Sequence, residues 1–159
     1  MRKFSFLFAL SALLLLAGCD GGSMIVDWYP VEMKIYLQDA EGNGLFAPQS
    51  KGYCRADSIT FLGNTYFEVA DEESCPASRA YLARLDGYRY LWGADGNILV
   101  FGEIDGARDY DDDITIYWSD GRRDVVHYRC WNHNELRGSV RREWKLNGKK
   151  CDSPITIVH

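Results

Sequence analysis

The chain has 159 residues, 47% of them hydrophobic and 14% aromatic, with 18 basic against 23 acidic side chains and a net charge of −5. That length fits one domain with a modest core of its own. The acidic balance argues against a nucleic-acid partner, which needs basic groups to neutralise phosphates.

The chain opens on an address. Arg2 and Lys3 are basic, and Phe4 to Ala17 is an apolar run broken by two serines. The run is too short to span a bilayer, which takes about 20 apolar residues, and has the form of the h-region of a signal peptide. Leu16-Ala17-Gly18-Cys19 resembles the lipobox of bacterial lipoproteins. The resemblance implies removal of residues 1–18 and lipid on Cys19. Two or more acyl chains anchor a protein stably, at about 0.8 kcal/mol per buried methylene. Without Arg2 and Lys3 the charge becomes −7. Residues 19–27 then read as lipidated cysteine and tether, with Asp20-Gly21-Gly22-Ser23 small and polar, and residues 28–159 as the folded domain.

From there the pattern is strand after strand. Val31, Met33, Ile35 and Leu37 alternate with Glu32, Lys34, Tyr36 and Gln38, the period of a half-buried strand. Asp39-Ala40-Glu41-Gly42-Asn43-Gly44 turns the chain. Ser58 to Leu62 and Thr65 to Val69 flank Gly63-Asn64, a hairpin signal. Arg79 to Leu85 alternates again. Tyr88 to Trp92 and Ile98 to Glu103 flank a Gly/Asn/Asp turn, and Ile114 to Trp118 and Asp124 to Arg129 flank Ser119-Asp120-Gly121. Val140 to Leu146 enters Asn147-Gly148, a type I′ signal, and Ile155 to Val158 closes the chain.

Short strands at regular spacing, with no helical periodicity after the leader, imply an all-β antiparallel sandwich, immunoglobulin-like or prealbumin-like. The first strand running into the Asp/Gly turn resembles the opening of prealbumin-like modules. Trp28-Tyr29-Pro30-Val31, Gln38 to Asn43, Arg79-Ala80-Tyr81-Leu82, Val100 to Gly106 and Ile116 to Gly121 resemble segments of small lipoproteins of the Bacteroides type. That resemblance implies an envelope address and a β fold, and supplies no catalytic residue.

The four cysteines of the domain are even in number, which in an exported chain suggests disulfides. Three pairings are open. Cys54–Cys75 and Cys130–Cys151 are favoured because each closes a local loop of equal span. Asp109, Asp111 and Asp113 have the one-three-five spacing of a calcium loop. Ile114 stands where an EF-hand needs Gly, so the expectation is a looser calcium site, against a plain solvated loop. His127, Cys130 and His133 have ligand-like spacing, but the expected strand around His127 and disulfide at Cys130 count against a metal there. Trp92 and Trp118 are assigned to the core, and Trp131 to a loop, as an exposed anchor or packed onto a disulfide. Arg141, Arg142, Lys145, Lys149 and Lys150 cluster near the end. They suit an anionic surface or the protection of a sheet edge.

No G-x-S-x-G elbow or H-E-x-x-H motif is present. The expectation is therefore a non-enzymatic lipoprotein of the bacterial envelope, held to a membrane, the outer membrane favoured, and binding a glycan or envelope protein. The alternatives are a structural accessory of an envelope complex and, more remotely, a hydrolase.

Overall fold

The computed structural model describes residues 31–69, 85–93, 96–104, 109–134 and 139–159. The leader, Cys19, the tether, Trp28, Tyr29, Cys75, Asp105 and the expected strand at 79–84 lie outside the described residues. The described residues are all β, with ten strands and no helix: β1 (Met33–Gln38), β2 (Ala56–Phe61), β3 (Asn64–Tyr66), β4 (Tyr88–Gly93), β5 (Gly96–Phe101), β6 (Tyr110–Trp118), β7 (Arg123–Asn134), β8 (Ser139–Leu146), β9 (Lys149–Cys151) and β10 (Ile155–Val158). They form a β-sandwich of two sheets, ordered β10-β1-β5-β4 and β3-β2-β6-β7-β8-β9. Pairing is antiparallel except that β1 and β10 run parallel, Ile35 beside Ile155.

Alternation decides which face is buried. Met33, Ile35 and Leu37 of β1 are fully covered, while Lys34, Tyr36 and Gln38 are half-buried. Across the sandwich, Ile59 and Phe61 of β2, Ile114, Ile116 and Trp118 of β6, and Val126 and Tyr128 of β7 form the opposing layer. The layers interlock through aromatic edges: Phe61 meets Phe101 at 6.4 Å between ring centres, and Tyr66 meets Phe101 at 5.1 Å. Such edge-to-face pairs add about 0.5–1.5 kcal/mol to the burial of the rings.

Turn chemistry sets the connections. Asp39 Oδ1 accepts from the backbone N–H of Glu41 (3.0 Å) and Asn43 (2.7 Å), and Oδ2 from Asn43 Nδ2 (2.8 Å). Those bonds, Asn43's foremost, lower the Asp39 pKa. Asn147 and Gly148 take φ of 47° and 82°, as a type I′ turn requires.

Four expectations are corrected. The first hairpin turns at Leu62-Gly63, both with positive φ, not at Gly63-Asn64. Leu62 accepts the left-handed conformation so that Ile59 and Phe61 keep the core face. The acidic run is not a loop: Asp111, Asp112 and Asp113 are in β6, each paired across to β7. Trp131 also lies in a strand, opposite Arg141 in β8, because β7 continues to Asn134. Trp92 is 58% exposed rather than in the core: it stands near the end of β4, past Tyr88 and Tyr90, which are buried on the same face.

The pairing Cys130–Cys151 is corrected as well. No bond joins these two thiols. Cys130 sits opposite Arg142 of β8, and Cys151 opposite Trp144 on the other side of β8. With a whole strand between them and a stagger of two residues along it, their backbones stand about 12 Å apart, beyond the reach of a disulfide, about 7 Å between Cα atoms. Cys54 is a free thiol.

Candidate functional site

After β3 the chain leaves the six-stranded sheet for the other one. Glu68 bridges to Tyr88 in parallel, Tyr88 N–H donates to Phe67 O (3.2 Å) and Val69 N–H donates to Tyr88 O (2.9 Å). The crossing requires Gly87, where an added Cβ would stand 2.4 Å from Phe67 O. It opens a shallow depression of about 460 Å³, lined by Tyr53, Arg55, Asp57, Phe67, Glu68 and Ser119 among others.

Beneath the depression two tyrosines tie the sheets together. Tyr88 and Tyr90 reach from β4 to one residue of β2: Tyr88 Oη donates to Ala56 O (2.8 Å), and Ala56 N–H donates to Tyr90 Oη (2.8 Å). The rim is polar and aromatic. Arg55 pairs with both oxygens of Glu68 and lies 4.8 Å over the Tyr90 ring. Phe67 is 62% exposed and Tyr53 39%. Burial pushes the Tyr88 hydroxyl up to about 12.

A second polar cluster lies beside it, where one end of the sandwich gathers the loop before β2, the β6–β7 turn, the β8–β9 turn and the end of β10. Cys54 Sγ donates to Asp120 Oδ2 at 3.3 Å and stands 3.8 Å from Ser119 Oγ. Asp120 also accepts from Arg122, through the backbone N–H (3.0 Å), Nε (2.8 Å) and Nη2. The Arg122 guanidinium holds the Asp120 carboxyl well below the usual carboxylate range, and burial pushes the Cys54 thiol up. Behind them Asp124 accepts from Trp118 Nε1 (2.7 Å), Asn147 Nδ2 (2.7 Å) and His159 Nε2 (2.9 Å). Burial alone would raise the Asp124 pKa, but the bonds from Asn147, His159 and Trp118 outweigh it and lower the value. His159 is tied in by its backbone N–H to Gln38 O (2.9 Å) and by its ring, 5.6 Å from Trp118.

The residues nominated from sequence lie elsewhere. Asp111 and Asp113 point outward from β6 and meet His127 of β7, at 3.1 Å to Nε2 and 2.9 Å to Nδ1; Asp111 also pairs with Arg129 at 3.4 Å. Their partners are thus a histidine and an arginine on the same sheet face, and Asp109 is exposed just before the strand. His127 and Cys130 are not brought together: one is on the outer face, the other in the core. The Trp131 ring is covered by the Arg129 guanidinium at 4.8 Å. Arg141 and Arg142 are exposed on β8. Glu143 takes Lys145 at 3.0 Å and Lys150 at 4.0 Å, and β9, with Lys149 and Lys150, is a sheet edge, the place where lysines deter pairing with another chain.

Sequence reasoning missed both clusters. The depression depends on a segment that changes sheets. The polar end depends on Cys54 and Asp120, 66 residues apart in the chain. The one signal was the Ser119-Asp120-Gly121 turn, read only as a connection. No family model, curated protein or solved structure matches this chain.

Proposed function

We propose that this chain is a lipid-anchored lipoprotein of the bacterial envelope, carried on Cys19 at the outer membrane, whose β-sandwich binds a glycan without catalysis. The likeness to small Bacteroides-type lipoproteins and the basic, apolar and small-small-Cys order of residues 2–19 support the address. One observation carries the ligand class. Phe67 and Tyr53 are exposed on the rim of a depression that also presents Arg55, Asp57 and Glu68. Aromatic faces stack on the C–H face of a pyranose, while carboxylates and a guanidinium hydrogen-bond its hydroxyls. The wide, open form suits a chain end or a short stretch of polysaccharide.

The test is a glycan array probed with the protein and with Phe67→Ala and Tyr53→Ala. Binding to a defined glycan that each substitution weakens at least about tenfold supports the reading; an aromatic contact of about 1.4 kcal/mol has that effect. No glycan bound, or binding indifferent to both substitutions, overturns it. A second reading, an accessory of an envelope complex, is favoured by Leu91 and Trp92, both exposed on edge strand β4. A pull-down of envelope proteins that depends on Trp92 and not on Phe67 would select it.

A further inference from the structure

We propose that Cys54, Asp120 and His159 form a binding site for a divalent transition-metal ion, zinc by ligand type, at the end of the sandwich beside the depression. The Cys54 sulfur, a carboxylate oxygen of Asp120 and a ring nitrogen of His159 all lie within 4.8 Å of one another. Tetrahedral zinc, with bonds of about 2.0–2.3 Å, sets its ligands about 3.3–3.8 Å apart. Cys54 and Asp120 already stand at 3.3 Å, so closure needs side-chain movement of about 1 Å.

His159 supplies the independent observation. Its side chain is only 7% exposed. Nε2 is bonded to the Asp124 carboxylate at 2.9 Å, which leaves Nδ1 as the ring nitrogen open to a ligand. Nδ1 is buried and has no hydrogen-bond partner. A buried imidazole nitrogen without a partner is costly, and a bound cation would satisfy it. Asp124, fixed by Trp118 and Asn147, has the place of the carboxylate that orients a metal-binding histidine through its other nitrogen. It is a positioning residue, not a ligand.

The chemistry selects the ion. A thiol facing a carboxylate is a poor nucleophile, because the anion opposes thiolate formation. A cation between Sγ and Oδ2 reverses that. It takes the place of the thiol proton, which leaves to solvent, and forms the sulfur–metal bond. Thiolate and carboxylate then supply two negative charges, with Asp120 Oδ2 shared between the cation and the Arg122 guanidinium that already bonds to it. Calcium would want six to eight oxygen ligands, and the cluster offers one carboxylate. Sulfur, imidazole and carboxylate together suit zinc. Asp120 is the solvent-facing member, and its side is the route of entry.

The test is a cobalt(II) titration of the full-length protein in detergent with reductant, read by the thiolate-to-cobalt charge-transfer band and by its bleaching with zinc. The expected result is one equivalent bound, loss of the band in Cys54→Ser, and retention in Cys130→Ser and Cys151→Ser. His159→Gln and Asp120→Asn should each weaken binding at least about tenfold, and Asp124→Asn about 10–100-fold. Asp120 is exposed, so its variant keeps the fold, as melting without metal will verify. No band in the wild type, a band that survives Cys54→Ser, unchanged affinity in Asp120→Asn, or Cys54 linked to Cys75 in protein taken from the membrane would each overturn the proposal.

Discussion

Replacing Tyr90 by Phe removes one oxygen and strands one buried donor. Ala56 is 6% exposed, and its N–H goes to Tyr90 Oη at 2.8 Å. No strand can take the bond over. The carbonyl of Trp118, opposite Ala56, already accepts from Gly121 N–H (2.9 Å), and β3 pairs with β2 only from Ile59 onward. A hydrogen bond contributes about 1 kcal/mol net, but a buried donor left unmade costs about 1–3 kcal/mol. The ring remains, so its edge contact with Phe46 at 5.0 Å and its stacking under Arg55 are kept. The expected loss is about 2 kcal/mol, or about 4–8 °C in Tm. Urea unfolding measures it, with the slope m unchanged if only stability moves. Tyr88→Phe removes the donor to Ala56 O, and the double variant should cost less than the sum because both act on one residue. A change under about 0.5 kcal/mol in Tyr90→Phe, within the usual range for surface substitutions, would refute the idea that the tyrosines clamp the two sheets.

Alkali should weaken the same clamp. Burial raises the Tyr88 pKa from 10.0 to about 12, so the unfolded state loses its proton first. Stability from Tyr88 is then constant below about pH 10 and falls as pH rises toward 12; urea midpoints across that range should fall less steeply in Tyr88→Phe. Gly87→Ala sets a methyl against Phe67 O and Val69 and should cost about 1–3 kcal/mol of stability, seen as a lower urea midpoint. Asp124→Ala removes the acceptor of Trp118, Asn147 and His159 together and should cost about 3 kcal/mol or more, measured by the same unfolding curve. Peptide mass mapping without reductant should find no Cys130–Cys151 link, since β8 lies between the two.

How far the sequence could be read depended on whether the signal was local. Alternation alone placed Met33, Ile35 and Leu37 inside, and Asn147-Gly148 announced its turn, because side-chain period and positive φ are properties of a few adjacent residues. The acidic run misled for a physical reason. Asp111 and Asp113 look like solvated loop until the neighbouring strand sets His127 within reach of both and Arg129 beside Asp111. Trp92 is exposed because β4 ends just after it, and Trp131 is a half-buried strand residue because β7 extends to Asn134, and neither limit is set by the residues adjacent to them. Cys54, Asp120 and His159 carry no mutual spacing pattern. They meet because two turns, one loop and the end of β10 share one end of the sandwich, which only the pairing of the strands decides.

The address at Cys19 is tested most directly by metabolic labelling with an alkyne-bearing palmitate, followed by mass spectrometry of the amino-terminal peptide. The account expects a labelled protein whose first residue is lipid-modified Cys19, and no label on Cys19→Ala. An unlabelled wild-type protein that keeps residues 1–18 and a bare Cys19 thiol would contradict it.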